Sequence, residues 1–250
     1  MIDNLLDIAP DTPVYRIFRL KHFEPMVTAN ENVLVKPSLW DDPFENIVMR
    51  SNAKLASGET ASLAPLREKL FGQCWFLTEE SDAMWRIYSD HTDRSEEGVK
   101  VRCTAGNLLQ SLWEATSGTK ELCCFLGRVD YVPETDIVNL LQSPDHMQGM
   151  ILDSTGKGHA QSLLFKRQPF DHENEARLIF SANNGVDHSN PLHRYSLKWN
   201  NLIEEIVLDP RLAHDVADSR TKELLSLGFS CKVFRSNLYV PRQLTVDLGL

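Results

Sequence analysis

The chain has 250 residues, 42% hydrophobic and 24% charged, an ordinary globular composition and enough length for a substantial core in a single domain, 1–250. A net charge of −9 leaves no basic footprint for non-specific duplex binding. Five cysteines without CxxC spacing and eight scattered histidines argue against a disulfide framework or a zinc centre. Residues 13–20, PVYRIFRL, alternate and predict a strand, followed by a short helix or turn region over 21–31. VLVKP at 33–37 predicts a second strand stopped by Pro37, and SLWDDPFEN at 38–46 a turn, with Asp42 held extended by Pro43. Residues 60–71 suit a helix and 73–79 a strand; Ser81 is placed to cap a helix running to about His91.

A strand follows at 98–103, an amphipathic helix at 107–116, and a strand over 121–132 in which Cys123 and Cys124 serve as small apolar filler. Residues 134–164 mix helical and loop character. An acidic strand covers 174–182, and a polar loop contains Asn183, Asn184, Gly185 and Asp187. LHRYSLKW and LIEEIVLDP (202–210) read as strands, 214–227 as a helix stopped at Gly228, and SCKVFRSNLY as a closing strand. The order is mixed α+β rather than regular βαβ alternation. No apolar run is long enough to cross a bilayer, and the start, MIDNLLDIAPDTP, lacks the regions of a signal peptide, which implies a cytoplasmic location.

The phosphate-binding and hydrolase motifs are missing: STGKGH lacks the GxxxxGK[ST] spacing, and there is no GxGxxG, GxSxG or HExxH. What carries chemistry is the segment LLFKRQPFDHENEARLIF at 163–180. Alternation puts Glu173, Glu175 and Arg177 on one strand face and Ala176, Leu178 and Phe180 on the other. Two carboxylates and a guanidinium sharing a face are either a solvated edge or, if buried, a paired or catalytic group. Three further clusters accompany it: Tyr15 and Arg16 on the first strand, Trp40 and Phe44 flanking the Asp42–Pro43 turn, and Ser81, Trp85 and Tyr88 on one helix face.

Together these clusters resemble the bacterial domain-of-unknown-function family 2971. The matching elements are Tyr15-Arg16-Ile17, the turn Asp41-Asp42-Pro43-Phe44-Glu45, Cys74-Trp75-Phe76, Met84-Trp85-Arg86-Ile87-Tyr88, Lys166 with Glu173, Glu175 and Arg177, and Ser236 to Tyr239. Asp41 stands where that family usually has Asn. An early strand arginine, an aromatic-rich central strand and a late Glu-x-Glu also resemble mono-ADP-ribosyltransferases, although their Ser-Thr-Ser strand reads Gln73-Cys74-Trp75-Phe76 here.

This second resemblance implies an α+β fold of two small, mostly antiparallel sheets around a cleft with flanking helices. It implies NAD as substrate with no metal, and a transferase or NAD glycohydrolase used as a toxin or in antiviral defence. A protein or nucleic-acid acceptor and an antitoxin or defence-system partner would follow, with no membrane. Glu175 would face the ribose and Glu173 would orient or deprotonate the acceptor. Arg16 would clamp the pyrophosphate, and Tyr15, Trp85 or Tyr88 would stack on nicotinamide. Asp42, Phe44, Lys166 and Arg177 complete the expected binding set. Two rival readings use the same residues. Asp42, Glu45, Glu173, Glu175 and Lys166 could form a magnesium-dependent nuclease centre. In a non-catalytic binding or sensor module, the 42–45 turn would simply brace Arg16 or Arg177 by a buried ion pair.

Overall fold

The computed structural model describes the chain except for residues 41, 43, 119, 183–188, 242 and 249–250. Asp41, Pro43 and the polar loop from Asn183 to Asp187 therefore lie outside the described residues. In chain order the elements are β1 (Leu5–Leu6), β2 (Pro13–Arg19), α1 (Leu20–Ala29), β3 (Glu31–Val35), α2 (Ile47–Arg50), β4 (Asn52–Lys54), β5 (Thr60–Ser62) and α3 (Ala64–Arg67). Then come β6 (Leu70–Phe76), α4 (Asp82–Tyr88), β7 (Gly98–Thr104), α5 (Ala105–Ala115), β8 (Cys124–Arg128), β9 (Asp130–Val132), α6 (Glu134–Leu141), α7 (Pro144–Ile151) and α8 (Lys157–Gln161). The last are β10 (Phe165–Arg167), β11 (Glu175–Ser181), β12 (Leu192–Ser196), α9 (Trp199–Leu202), β13 (Glu205–Leu208), α10 (His214–Ser226) and β14 (Lys232–Arg235).

Among the described residues ten strands form one hydrogen-bonded sheet: eight run in the order β1-β8-β11-β6-β2-β7-β13-β14, and the β3–β12 pair is attached to β6. Only β1–β8 and β13–β14 are parallel within it. The path is not uniform. β2 meets β6 through the single pair Tyr15–Phe76, and β3 meets β6 through Val35–Gly72 alone, whereas β2 pairs β7 over its whole length. The expected two small sheets are therefore two leaves joined at a one-residue hinge, and strands splayed from such a hinge leave a gap between them.

Alternation decides which side chains face where. Val14 and Phe18 of β2, Phe71 and Trp75 of β6 and Ala176, Leu178 and Phe180 of β11 enter the main core, which α1, α5 and α10 cover. The opposite face carries two smaller apolar clusters. One, around Leu70, Phe125, Leu163 and Ile179, packs on the first leaf; the other, around Tyr15, Ile17, Phe76 and Trp85, packs on the second. Between them lies the gap.

Several sequence expectations give way here. The helix foreseen over 60–71 is a β-hairpin strand, one helical turn and the start of β6, because Leu70 and Phe71 are fully buried strand residues. The strand over 121–132 breaks after Arg128 and continues in a separate ribbon with β10. The mixed stretch over 134–164 contains three short helices. Ser81 sits at the N-cap of α4 with extended backbone, yet its side chain makes no capping bond; Thr104 does cap α5, accepting from the Asn107 N–H.

Candidate functional site

A cavity of about 280 Å³ occupies the gap between the leaves. Its floor is β6, from Gly72 to Phe76; β2 supplies Arg16 and Ile17, α4 supplies Tyr88, and the 165–175 segment supplies Lys166, Phe170, Glu173 and Glu175. Arg16 shares strand parity with Val14 and Phe18, whose side chains enter the main core. Its guanidinium nevertheless reaches the cavity, donating from Nη1 to the Cys74 carbonyl across the hinge, and its Nε is buried without a protein partner. A fixed cation is thereby placed on one wall.

The opposite wall is an ion cluster built on β11. Every residue of β11 is buried, so the solvated-edge alternative for its charges is excluded. Arg177 is 0% exposed and donates Nε to Glu175 Oε2 at 2.8 Å, Nη2 to Glu45 Oε1 at 2.8 Å and Nη1 to the Leu163 carbonyl at 2.7 Å. Its guanidinium also lies 4.5 Å from the Trp40 ring centroid. The brace between Glu45 and Arg177 is thus real, and Arg177 sits behind the cavity wall. Asn46 takes a left-handed turn (φ 57°), which short polar side chains tolerate, just after Glu45.

Trp40 fits only because β6 has glycine at 72. A Cβ on Gly72 would stand 2.8 Å from Trp40 Cζ2. Gly72→Val is therefore expected to push the indole off Arg177 and cost about 1–3 kcal/mol, read as a lower urea midpoint at unchanged slope.

Lys166 stands where three carboxylates converge. Its Nζ is 3.0 Å from Glu175 Oε1 and 3.1 Å from Glu45 Oε1, and it also pairs directly with Glu173. Glu173 arrives by a route the alternation pattern missed. It closes a 3-10 turn (Gln168–Glu173), and Asn174, left-handed at φ 42°, swings the chain into β11 so that Glu173 and Glu175 meet on one ammonium. Two cations, Lys166 and Arg177, face three carboxylates. One proton makes the cluster neutral, and Glu173, the most exposed of the three at 14%, takes it. Burial first, then the adjacent Glu175, push Glu173 up to about 8. Burial alone would raise Glu175 as well, but Arg177, the proton shared with Glu173, and Lys166 outweigh it and hold Glu175 far below the usual carboxylate range. Lys166 is lowered by burial and raised more by its carboxylates, so it stays charged.

The ammonium of Lys166 fills the point at which a cation would bind these carboxylates. Among the described residues no group of three or more His, Cys, Asp or Glu side chains is arranged to hold a metal ion.

Of the residues singled out from sequence, Arg16, Trp40, Asp42, Glu45, Tyr88, Lys166, Glu173 and Glu175 line the cavity. Tyr88 packs on Phe76 with ring centroids 5.4 Å apart; burial pushes its phenol up to about 12, so it remains neutral. Asp42 accepts from Arg167 Nη2 at 2.9 Å and from the Phe44 N–H at 3.0 Å. Phe44 faces Arg167, whose Cζ is 3.9 Å from the ring centroid, and does not line the cavity. Tyr15 and Trp85 are buried in the apolar cluster of the second leaf, where the Trp85 indole donates to Glu80 Oε1 at 2.8 Å. Neither is part of the cavity wall. Cys74, Phe76 and Phe170 line it too, and like Trp40 they had been given no binding role from sequence. For Trp40 the signal was present in its place beside the Asp42–Pro43 turn; for Phe76 and Cys74 it needed the leaf junction.

No protein-family model and no curated protein sequence matches the chain, so the likeness to family 2971 has no support from that direction. Among solved structures the chain is similar to DarT of Thermus sp. 2.9. The complex with NAD+ gives a TM-score of 0.39 at 13% identity, covering 91% of this chain and 96% of that one. The complex with ADP-ribosylated ssDNA gives 0.41 at 12% identity over 92% and 96%. The complex with carba-NAD+ gives 0.39 at 12% identity over 92% and 97%. Among the described residues no helix is long and apolar enough to cross a membrane.

Proposed function

We propose that the chain is an NAD-consuming ADP-ribosyltransferase or NAD glycohydrolase, an effector of the toxin or phage-defence type acting on a protein or nucleic-acid acceptor. The observation that carries this is the opposition, within one cavity, of Arg16 on β2 and the Glu173–Glu175 pair before and on β11, with the Tyr88 ring beside them. A guanidinium suits a pyrophosphate. A carboxylate suits a ribose whose anomeric carbon gains positive charge as its bond to nicotinamide breaks. The volume is just below the roughly 300–1,000 Å³ of common small-molecule sites. It suits the nicotinamide–ribose end of the dinucleotide, with the adenosine half along the open mouth.

The roles then divide by protonation. Glu175 stays ionised and faces the ribose as a fixed anion. In the fraction that has given up its own proton, Glu173 takes the acceptor's proton as the acceptor's lone pair bonds to the anomeric carbon, while the electrons of the broken bond leave with nicotinamide. Lys166 and Arg177 hold the two carboxylates in place. The nuclease reading has less support, since the carboxylates it needs for magnesium are already neutralised by Lys166 and Arg177.

The test is incubation with NAD, with and without magnesium, reading nicotinamide release and transfer of labelled ADP-ribose to lysate macromolecules. Metal-independent release is expected. Arg16→Gln should cut release at least tenfold and abolish the rise in melting temperature that NAD produces, with a small effect on the protein alone. Release that requires magnesium rejects the reading, as does no release together with no thermal shift by NAD.

A further inference from the structure

Among the described residues, two buried polar atoms without a partner in the protein belong to cavity-lining side chains: Arg16 Nε, a donor, and Asp42 Oδ2, an acceptor. Leaving a buried polar group unpaired is costly, so one in a cavity wall marks a point that a ligand completes. The pyrophosphate answers Arg16. The group that answers Asp42 Oδ2 must be a donor.

Asp42 is held firmly for such a contact. It lies in the turn between β3 and α2, with its side chain 5% exposed. Its Oδ1 is already committed, accepting from Arg167 Nη2 at 2.9 Å and from the Phe44 N–H at 3.0 Å. Arg167 is itself packed against Phe44, its Cζ 3.9 Å from the ring centroid, and does not line the cavity. Two donors on one oxygen fix the carboxylate. The other oxygen offers a lone pair and negative charge to whatever enters.

Which donor enters follows from the NAD reading, on which this step rests. The nicotinamide–ribose end of the dinucleotide carries two kinds of donor, the ribose hydroxyls and the carboxamide NH2. Glu175, on β11, is matched to the ribose. Asp42 comes from a different element, and Trp40, two residues before it, brings an indole to the cavity wall for a flat ring. A side chain as deeply buried as Asp42 is also out of reach of the adenosine half at the open mouth.

We infer that Asp42 is a specificity-determining residue whose Oδ2 accepts from the carboxamide NH2 of nicotinamide, selecting NAD against nicotinic acid adenine dinucleotide. In that analogue a carboxylate replaces the carboxamide. It has no N–H to donate, and it would bring a second negative charge against Asp42. A site built to bond a donor rejects the analogue lacking it far more strongly than apolar fit can. The cavity-lining cations do not offset the repulsion: Lys166 is shared by Glu45, Glu173 and Glu175, and Arg16 is matched to the pyrophosphate.

The two dinucleotides differ at this group alone. Release of the free base from each, compared as kcat/KM, should favour NAD by at least about 100-fold in the native protein. Asp42→Asn keeps an acceptor for Arg167 and Phe44 and places an NH2 where Oδ2 was. The preference should then fall by about tenfold or more, chiefly through a lower KM for the acid. Intrinsic leaving-group reactivity cancels between the two proteins. Loss of a mere brace for Arg167 would slow both substrates together and leave their ratio unchanged. Product inhibition of the native protein gives a readout that needs no variant: nicotinamide should inhibit NAD cleavage about tenfold or more better than nicotinate. Native protein that uses both dinucleotides equally, a ratio unmoved by Asp42→Asn, or equal inhibition by the two bases overturns the assignment and leaves the NAD reading standing. Cleavage of neither dinucleotide overturns both.

Discussion

Arg177→Met should destabilise the protein by about 3–5 kcal/mol, a large share of the roughly 5–15 kcal/mol that keeps a domain of this kind folded. Arg177 is fully buried, and each of its three donating nitrogens has an acceptor: Glu175, Glu45 and the Leu163 carbonyl. Methionine would fill the volume and keep contact with Trp40, so the loss is electrostatic rather than a cavity. With Arg177 gone, Lys166 alone would face Glu45 and Glu175, and one buried carboxylate would have to take up a proton or remain uncompensated. Arg177→Lys should recover little of the loss, because an ammonium cannot fork to three acceptors in these positions. The measurement is the urea midpoint at unchanged slope. A loss under 1 kcal/mol would mean that the cluster neutralises itself by protonation at little cost. Glu175→Gln disturbs the same cluster more gently, since Glu173 can then give up its proton and restore neutrality. Lost turnover in that variant would therefore mix a structural effect with a chemical one.

The same cluster marks how far the residues can be read without coordinates. The partition of β11 was legible: Ala176, Leu178 and Phe180 do face the core and Glu175 and Arg177 the other side, because a period of two survives any packing. Whether that other side was wet or buried was not legible, because burial depends on α2, α8, Trp40 and Glu45 packing over it from far away in sequence. Glu173 reached the right place for a different reason from the expected one. Its position depends on the left-handed Asn174, a backbone choice that a one-letter sequence does not announce. Trp85 and Tyr88 show the limit of helical spacing. They are three residues apart on α4, yet Trp85 is buried in the apolar cluster while Tyr88 lines the cavity. Helical periodicity gives a face, not what the face meets. The hinge between the leaves, which creates the cavity, rests on the single pair Tyr15–Phe76, and no local pattern encodes a ladder that is one rung long.

Glu173→Gln separates chemistry from structure. At neutral pH Glu173 already carries the proton that neutralises the cluster, so an uncharged amide of the same shape resembles the native state. Little change in melting temperature is expected near pH 7. Turnover should fall by about 10²–10⁴-fold, the usual contribution of a positioned proton acceptor. Its pH dependence gives a second readout. A base works when deprotonated, so transfer by the native protein should rise with pH through about 8, and the Gln variant's residual activity should be flat there. Stability should move the other way. A carboxyl raised from an ordinary value near 4.5 to about 8 binds its proton more tightly in the folded state. Its stabilising contribution is complete below the unfolded value and disappears as pH rises through the folded one. The native protein should lose melting temperature between about pH 7 and 9, and Glu173→Gln should lose less. Glu175, held low, acts at the acid end, where protonation as pH falls removes stability. A Glu173→Gln protein that keeps native turnover would remove Glu173 from the chemistry. One with the native alkaline loss of stability would place the titrating proton elsewhere in the cluster.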